Sequence, residues 1–159
     1  MSCTGSASNQ LKGGMANHHL VILKKPYLDA ILAGRKTIES RFLKTRHSPF
    51  GRVAAGDRLF LKVSSGPVCA TAVVAAAENF ENLTPKQIAA IKEKHNCQIC
   101  GSDEYWQNIA DCRFGILAWL KDVKTIRPVY ISKKDWRGWV VLTDKENFGL
   151  LKSNIAEKI

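Results

Sequence analysis

The sequence has no apolar run long enough for a helix to cross a membrane; its longest, residues 68–77, is strand-sized. It also lacks a basic stretch followed by an apolar one at its start, so no secretory signal is expected. An intracellular protein, in cytoplasm or nucleus, without membrane association is the expectation. Cysteine is sparse, with five residues in the chain. In such a compartment reduced thiols are expected. Only one close pair occurs, Cys97-x-x-Cys100. With His95 and Cys112 as further candidates, it lacks the second knuckle of a structural zinc site. The strand–helix setting of a redox pair is missing as well. No metal and no cofactor are expected. There is no internal repeat, and 159 residues suit one domain.

Acidic residues are the minority charge, 14 against 24 Lys and Arg, for a net charge of +10. Such a balance favours polyanionic partners through counterion release. The cations gather at residues 24–25, 35–36, 41–52 and 133–137.

What is present is a core-sized hydrophobic fraction, 45%, arranged in short strand-like stretches. Residues 20–23 read as a buried strand, followed by a helix at 26–33. Leu28, Ile31 and Leu32 give it an apolar face, Pro26 suits its first turn, and Gly34 the position beyond its end. Residues 58–63 and 68–77 read as a hairpin turned by Ser64-Ser65-Gly66-Pro67. Thr84 caps a helix at 83–95, with Pro85 at its first position. A further insertion near Tyr105 is placed to cover one end of a cleft. Residues 114–123 and 136–142 are the last strands. Residues 1–17 read as a disordered tail, 18–145 as the domain, and 146–159 as a tail or short helix.

The stretch Gly34-Arg35-Lys36-Thr37-Ile38-Glu39-Ser40-Arg41 stands at the helix–strand junction. Strand alternation puts Ile38 and Phe42 on one face and Glu39 and Arg41 on the other. Lys36 sits at the adjoining turn. Two cations and an anion meeting there suit a polar ligand, phosphate in particular. The competing reading is an ion pair on a solvated strand face. Residues 44–56 form a loop expected to overhang this cleft, with Arg46 or Arg52 at its rim. His47 is either an exposed loop histidine or a catalytic base. Trp136, among Lys133, Lys134 and Arg137, is either a stacking platform or a plug at the barrel end.

Gly-x-Lys-x-x-Glu-x-Arg, formed by Gly34, Lys36, Glu39 and Arg41, resembles the signature of ASCH (activating signal cointegrator homology) domains. The flanking Leu23-Lys24-Lys25-Pro26-Tyr27 and Gly56-Asp57-Arg58-Leu59-Phe60 are similar to that family as well, and the resemblance spans residues 20–141. It implies an α+β fold: a PUA-like β-barrel of about five to seven mostly antiparallel strands with two or three peripheral helices. It also implies binding of RNA or a nucleotide in a cleft lined by the motif. The ligand residues would be Lys36, Glu39, Arg41, Arg46, Arg52 and Trp136. Two other activities occur in the family. One is hydrolysis of acetylcytidine, for which Lys36 matches but Glu39 stands where a catalytic Thr would be, with Glu78 or Glu81 as a third member. The other is ribonuclease action, with Lys36 stabilising the transition state and Glu39 as base. A protein partner, as for coactivators carrying the domain, is the third class.

Overall fold

The computed structural model describes residues 16–131 and 137–144. Its elements run β1 (His18–Leu23), α1 (Lys25–Leu32), β2 (Ile38–Leu43), β3 (Arg58–Val63), β4 (Val68–Phe80), α2 (Pro85–Ile99), α3 (Asp103–Asn108), β5 (Phe114–Val129) and β6 (Trp139–Val141). The strands form one curled sheet in the order β2-β5-β4-β3-β1-β6. Among the described residues only β1 and β3 pair in parallel; the other pairs are antiparallel. The result, among the described residues, is an α+β half-barrel of six strands and three helices, a PUA-like fold as expected from the sequence. Its seam lies between the edge strands β2 and β6.

Alternation along each strand decides which cluster a side chain joins. Val21 and Leu23, Leu59 and Leu61, Ile116 and Ala118, and Trp139 turn inward with Leu28 and Ile31 of α1. Small residues of β4, Ala70, Ala72 and Ala77, admit this close packing. On the other face, Ile38 and Leu117 meet Ile88, Ile91 and Ile99 of α2 and Trp106 of α3. Leu20, Phe60, Val68 and Val140 belong to a third cluster. β4 and β5 are longer than the sequence pattern indicates. Their pairing is interrupted by three register shifts. Such irregularities bend a strand and let it continue around the curl.

The helices differ from expectation at their ends. Leu32 is 39% exposed, so the buried face of α1 is Leu28, Ala30 and Ile31. Thr84 and Gln87 form a reciprocal capping box that starts α2. The helix runs four residues beyond the expected end and stops at Cys100, whose backbone is left-handed (φ 62°). Cys97 therefore lies on α2, exposed, and Cys100 at its cap. Ile99, fully buried, explains the extension: one more turn brings it into the core. Ser102 caps α3 through the Tyr105 amide. The Asn96 side chain accepts from Gly101 N and Trp106 Nε1, pinning α3 to α2.

Candidate ligand cleft at the barrel seam

The turn after α1 aims Lys36 inward. Gly34 takes a left-handed conformation (φ 81°), and the amides of Arg35 and Lys36 both donate to Ala30 O. The chain then enters β2 with Thr37 N on Gln98 O. Lys36 Nζ donates to Ile38 O (2.9 Å) and Ile99 O (2.8 Å), and lies 3.2 Å from Glu39 Oε1. Its three donors are thereby matched by three acceptors. The bond to Ile99 O joins the start of β2 to the C-terminal end of α2, where carbonyls carry the negative end of the helix dipole and favour a cation.

Glu39 and Arg41 stand opposite Ala118 and Ile116 of β5, on the inward face, while Ile38 and Phe42 stand on the face toward α2 and α3. The parity expected from the sequence holds. Glu39 is only 4% exposed and Lys36 only 3%. This excludes an ion pair on a solvated strand face. Arg41 Nε donates to Glu39 Oε2 (2.9 Å), so the carboxylate is held between two cations. Burial on its own would raise the pKa of Glu39. The charges and hydrogen bonds of Lys36 and Arg41 outweigh it and hold the carboxyl below the usual glutamate value.

Arg41 also donates from Nη2 to Ile22 O (2.9 Å) and stacks over the Trp139 ring, 5.5 Å from its centroid. It thus bridges the seam from β2 to β1 and β6. On one side of it opens a cleft of about 330 Å³ lined by Tyr27, Lys36, Glu39, Ser40, Arg41, Phe42 and Tyr105, among others. The open edge of β2 faces this cleft. Lys36 covers Ile38 O, and Tyr105 Oη covers Ser40 O (3.4 Å) while lying 2.7 Å from Ser40 Oγ. Burial raises the Tyr105 phenol well above its ordinary range, so it stays a neutral hydrogen-bonding group. On the other side of Arg41 a second cavity, of about 310 Å³, is lined by His47, Ser48, Arg137, Gly138 and Trp139.

The structure brings Lys36, Glu39 and Arg41 together at one cleft. It places Arg46 and Arg52 elsewhere. Arg46 pairs with Glu81 (2.9 Å) and lies over the Phe50 ring, and Arg52 pairs with Asp144. Neither lines the 330 Å³ cleft. The loop reaches the second cavity instead, through His47, Ser48 and Pro49. Trp136 lies outside the described residues. The covering insertion expected near Tyr105 contributes Ile99, Ser102, Glu104 and Tyr105 to the lining. Glu78 and Glu81 are outside it. Tyr27 and Ser40 are cleft residues that the sequence pattern did not single out, whereas Tyr105 belongs to the insertion expected at one end of the cleft. Ser40 sat inside the motif in plain view, and its contact with Tyr105, 65 residues away, had no signal in the sequence.

A second polar cluster supports the seam. Asp57 accepts from Asn17 N, Ala54 N and His19 Nε2 (2.8 Å), and Trp139 Nε1 donates to His19 Nδ1 (2.9 Å). His19 and Asp57 are 0% and 1% exposed. The Gly56-Asp57 turn therefore anchors the start of β3, and through His19 it positions the indole on which Arg41 rests.

The comparisons agree with this architecture. The sequence matches the ASCH domain family over residues 21–145, and the chain belongs to that family. No curated protein is significantly similar in sequence. The fold is similar to that of the ASCH protein of Zymomonas mobilis, with a TM-score of 0.63 at 18% identity, covering 86% of this chain and 94% of that one. A point mutant of the same protein gives 0.62 at 15% identity, covering 85% and 94%. The N-terminal domain of Staphylothermus marinus McrB is also similar, with a TM-score of 0.50 at 12% identity, covering 87% and 95%. Among the described residues, no helix is long and apolar enough to cross a membrane.

Proposed function

We propose that this ASCH domain is an RNA- or nucleotide-binding module whose ligand occupies the cleft around Lys36, Glu39 and Arg41. One observation carries the reading. A concave site of about 330 Å³ combines three aromatic rings, Tyr27, Phe42 and Tyr105, with a guanidinium on its wall. That volume falls in the range of small-molecule sites. Rings that accept a base and a cation that accepts phosphate are the paired needs of nucleotide recognition. The net charge of +10 supports the same class of partner.

Roles divide within the motif. Lys36 spends its donors on Ile38, Ile99 and Glu39, and serves as the floor of the site. Glu39 orients Arg41. Arg41 meets the ligand. Commitment of the Lys36 ammonium to internal acceptors favours a binding module over a hydrolase using Lys36 and Glu39.

The test is a titration with RNA oligomers and with nucleosides, acetylcytidine included, read for both binding and product. Saturable binding without turnover, weakened in Arg41→Ala, is expected. Turnover abolished by Glu39→Gln would establish the hydrolase instead. Equal binding by wild type and Arg41→Ala would remove the cleft from the function.

A further inference from the structure

We propose that the ligand of this seam is a polynucleotide chain crossing Arg41, with one nucleotide in each cavity and the connecting phosphodiester on the guanidinium. Gly138 is the positioning residue that makes the crossing. The inference rests on the reading of the 330 Å³ cleft as a nucleotide site, and extends it across the seam.

Three observations carry it. The first is size and arrangement. The two cavities are of nearly equal volume, about 330 and 310 Å³, and among the described residues Arg41 is the one lining both. It forms a septum between two similar compartments. The second is chemistry. The first compartment is aromatic, suited to a base. The second presents His47 and Ser48 beside Trp139, groups that contact phosphate and sugar. Its carboxylate, Asp144, is engaged by Arg52 and so offers an approaching phosphate less repulsion. The third is the direction of the guanidinium. Nε is held by Glu39 and Nη2 by Ile22 O, so Nη1 points to the seam beside Gly138. Among the described residues Nη1 has no hydrogen-bond partner given by the geometry. Two fixed nitrogens and one outward nitrogen make a preorganised anion contact, which loses little rotamer freedom on binding.

Gly138 has a specific part in this. A Cβ at that position would come within 2.8 Å of Arg41 Nη1. The obstructed atom is the far end of a flexible side chain, and the backbone is not left-handed there. Gly138→Ala therefore displaces the guanidinium from the septum while the fold is kept.

The experiment compares a nucleoside, its monophosphate and a dinucleoside monophosphate, in ribose and deoxyribose forms, by calorimetric titration of the full chain. The dinucleoside monophosphate should bind roughly tenfold or more tighter than the nucleoside, the gain of a charge-assisted contact. The monophosphate should recover part of that gain. Gly138→Ala should shrink the ratio toward one. His47→Ala, on an exposed loop where folding is not at issue, should also reduce it. The ribose and deoxyribose series distinguish RNA from single-stranded DNA as the source of the phosphodiester. Equal affinity for nucleoside and dinucleoside monophosphate overturns the chain reading while leaving a single-nucleotide cleft intact. A ratio unchanged in both variants overturns the septum. If none of the three binds, the nucleotide cleft fails, and this inference with it.

Discussion

Arg41 reaches from β2 to the carbonyl of Ile22, 2.9 Å away, and so ties together two strands that are not neighbours in the sheet. Where backbone pairing stops, a side chain closes the curl. The same guanidinium is anchored on Glu39 and rests on Trp139. Structure and recognition therefore meet in one residue, and substitutions along the motif should separate according to which of the two they disturb.

Arg41→Ala should weaken RNA binding by about 1–3 kcal/mol, the range for contacts to charged groups. Raising the salt concentration should weaken the wild-type complex steeply and the variant less, because one fewer counterion-displacing contact remains. Affinity measured over a salt series checks both statements. An unchanged slope would place Arg41 outside the phosphate path.

Lys36→Met should act mainly on stability. It leaves Glu39 buried with Arg41 as its remaining cation, and breaking a buried pair costs about 3–5 kcal/mol. The double variant Lys36→Met/Glu39→Gln should recover much of that loss, since the uncompensated charge is gone. Urea unfolding of the two singles and the double gives the coupling directly. Additive losses would mean that the two side chains are independent.

Acid should loosen the seam through Glu39. Its carboxyl is held below the ordinary value of 4.5 in the folded chain, by Lys36 and Arg41 against the opposing effect of burial. A depressed folded value means that the stabilisation is fully present above the ordinary value and is lost as pH falls through the folded one. Near neutrality, Glu39 should add no pH dependence. Comparing urea midpoints of wild type and Glu39→Gln from neutral pH downward tests the sign: the gap should narrow toward acid.

Asp57→Ala removes a buried acceptor of three hydrogen bonds, from Asn17 N, Ala54 N and His19 Nε2. Two amides and an imidazole are left unmatched, at about 1–3 kcal/mol for each unsatisfied group. The His19–Trp139 contact should loosen as well. Trp139 fluorescence should therefore shift in the folded variant, and a spectrum identical to wild type would sever the link between this turn and the seam.

Local pattern carried a large part of this protein. Alternation along residues 38–43 decides that Glu39 and Arg41 share a face, because strand side chains have a period of two whatever the strand packs against. Pro26, Gly34, Thr84 and Pro85 mark helix ends through backbone constraints that act over a few residues. The family resemblance followed from the same short stretches. Partners distant in the chain were decided by the tertiary structure alone. Nothing near Lys36 in the chain announces Ile99 O, and nothing near Arg41 announces Ile22 O or Gly138. Arg46 and Arg52 look equivalent to Arg41 as charges, yet distant carboxylates, Glu81 and Asp144, claim them once the chain folds. Electrostatic pairing depends on distance through space, whereas a sequence records distance along the chain. That is why the motif was legible and the walls of its cleft were not.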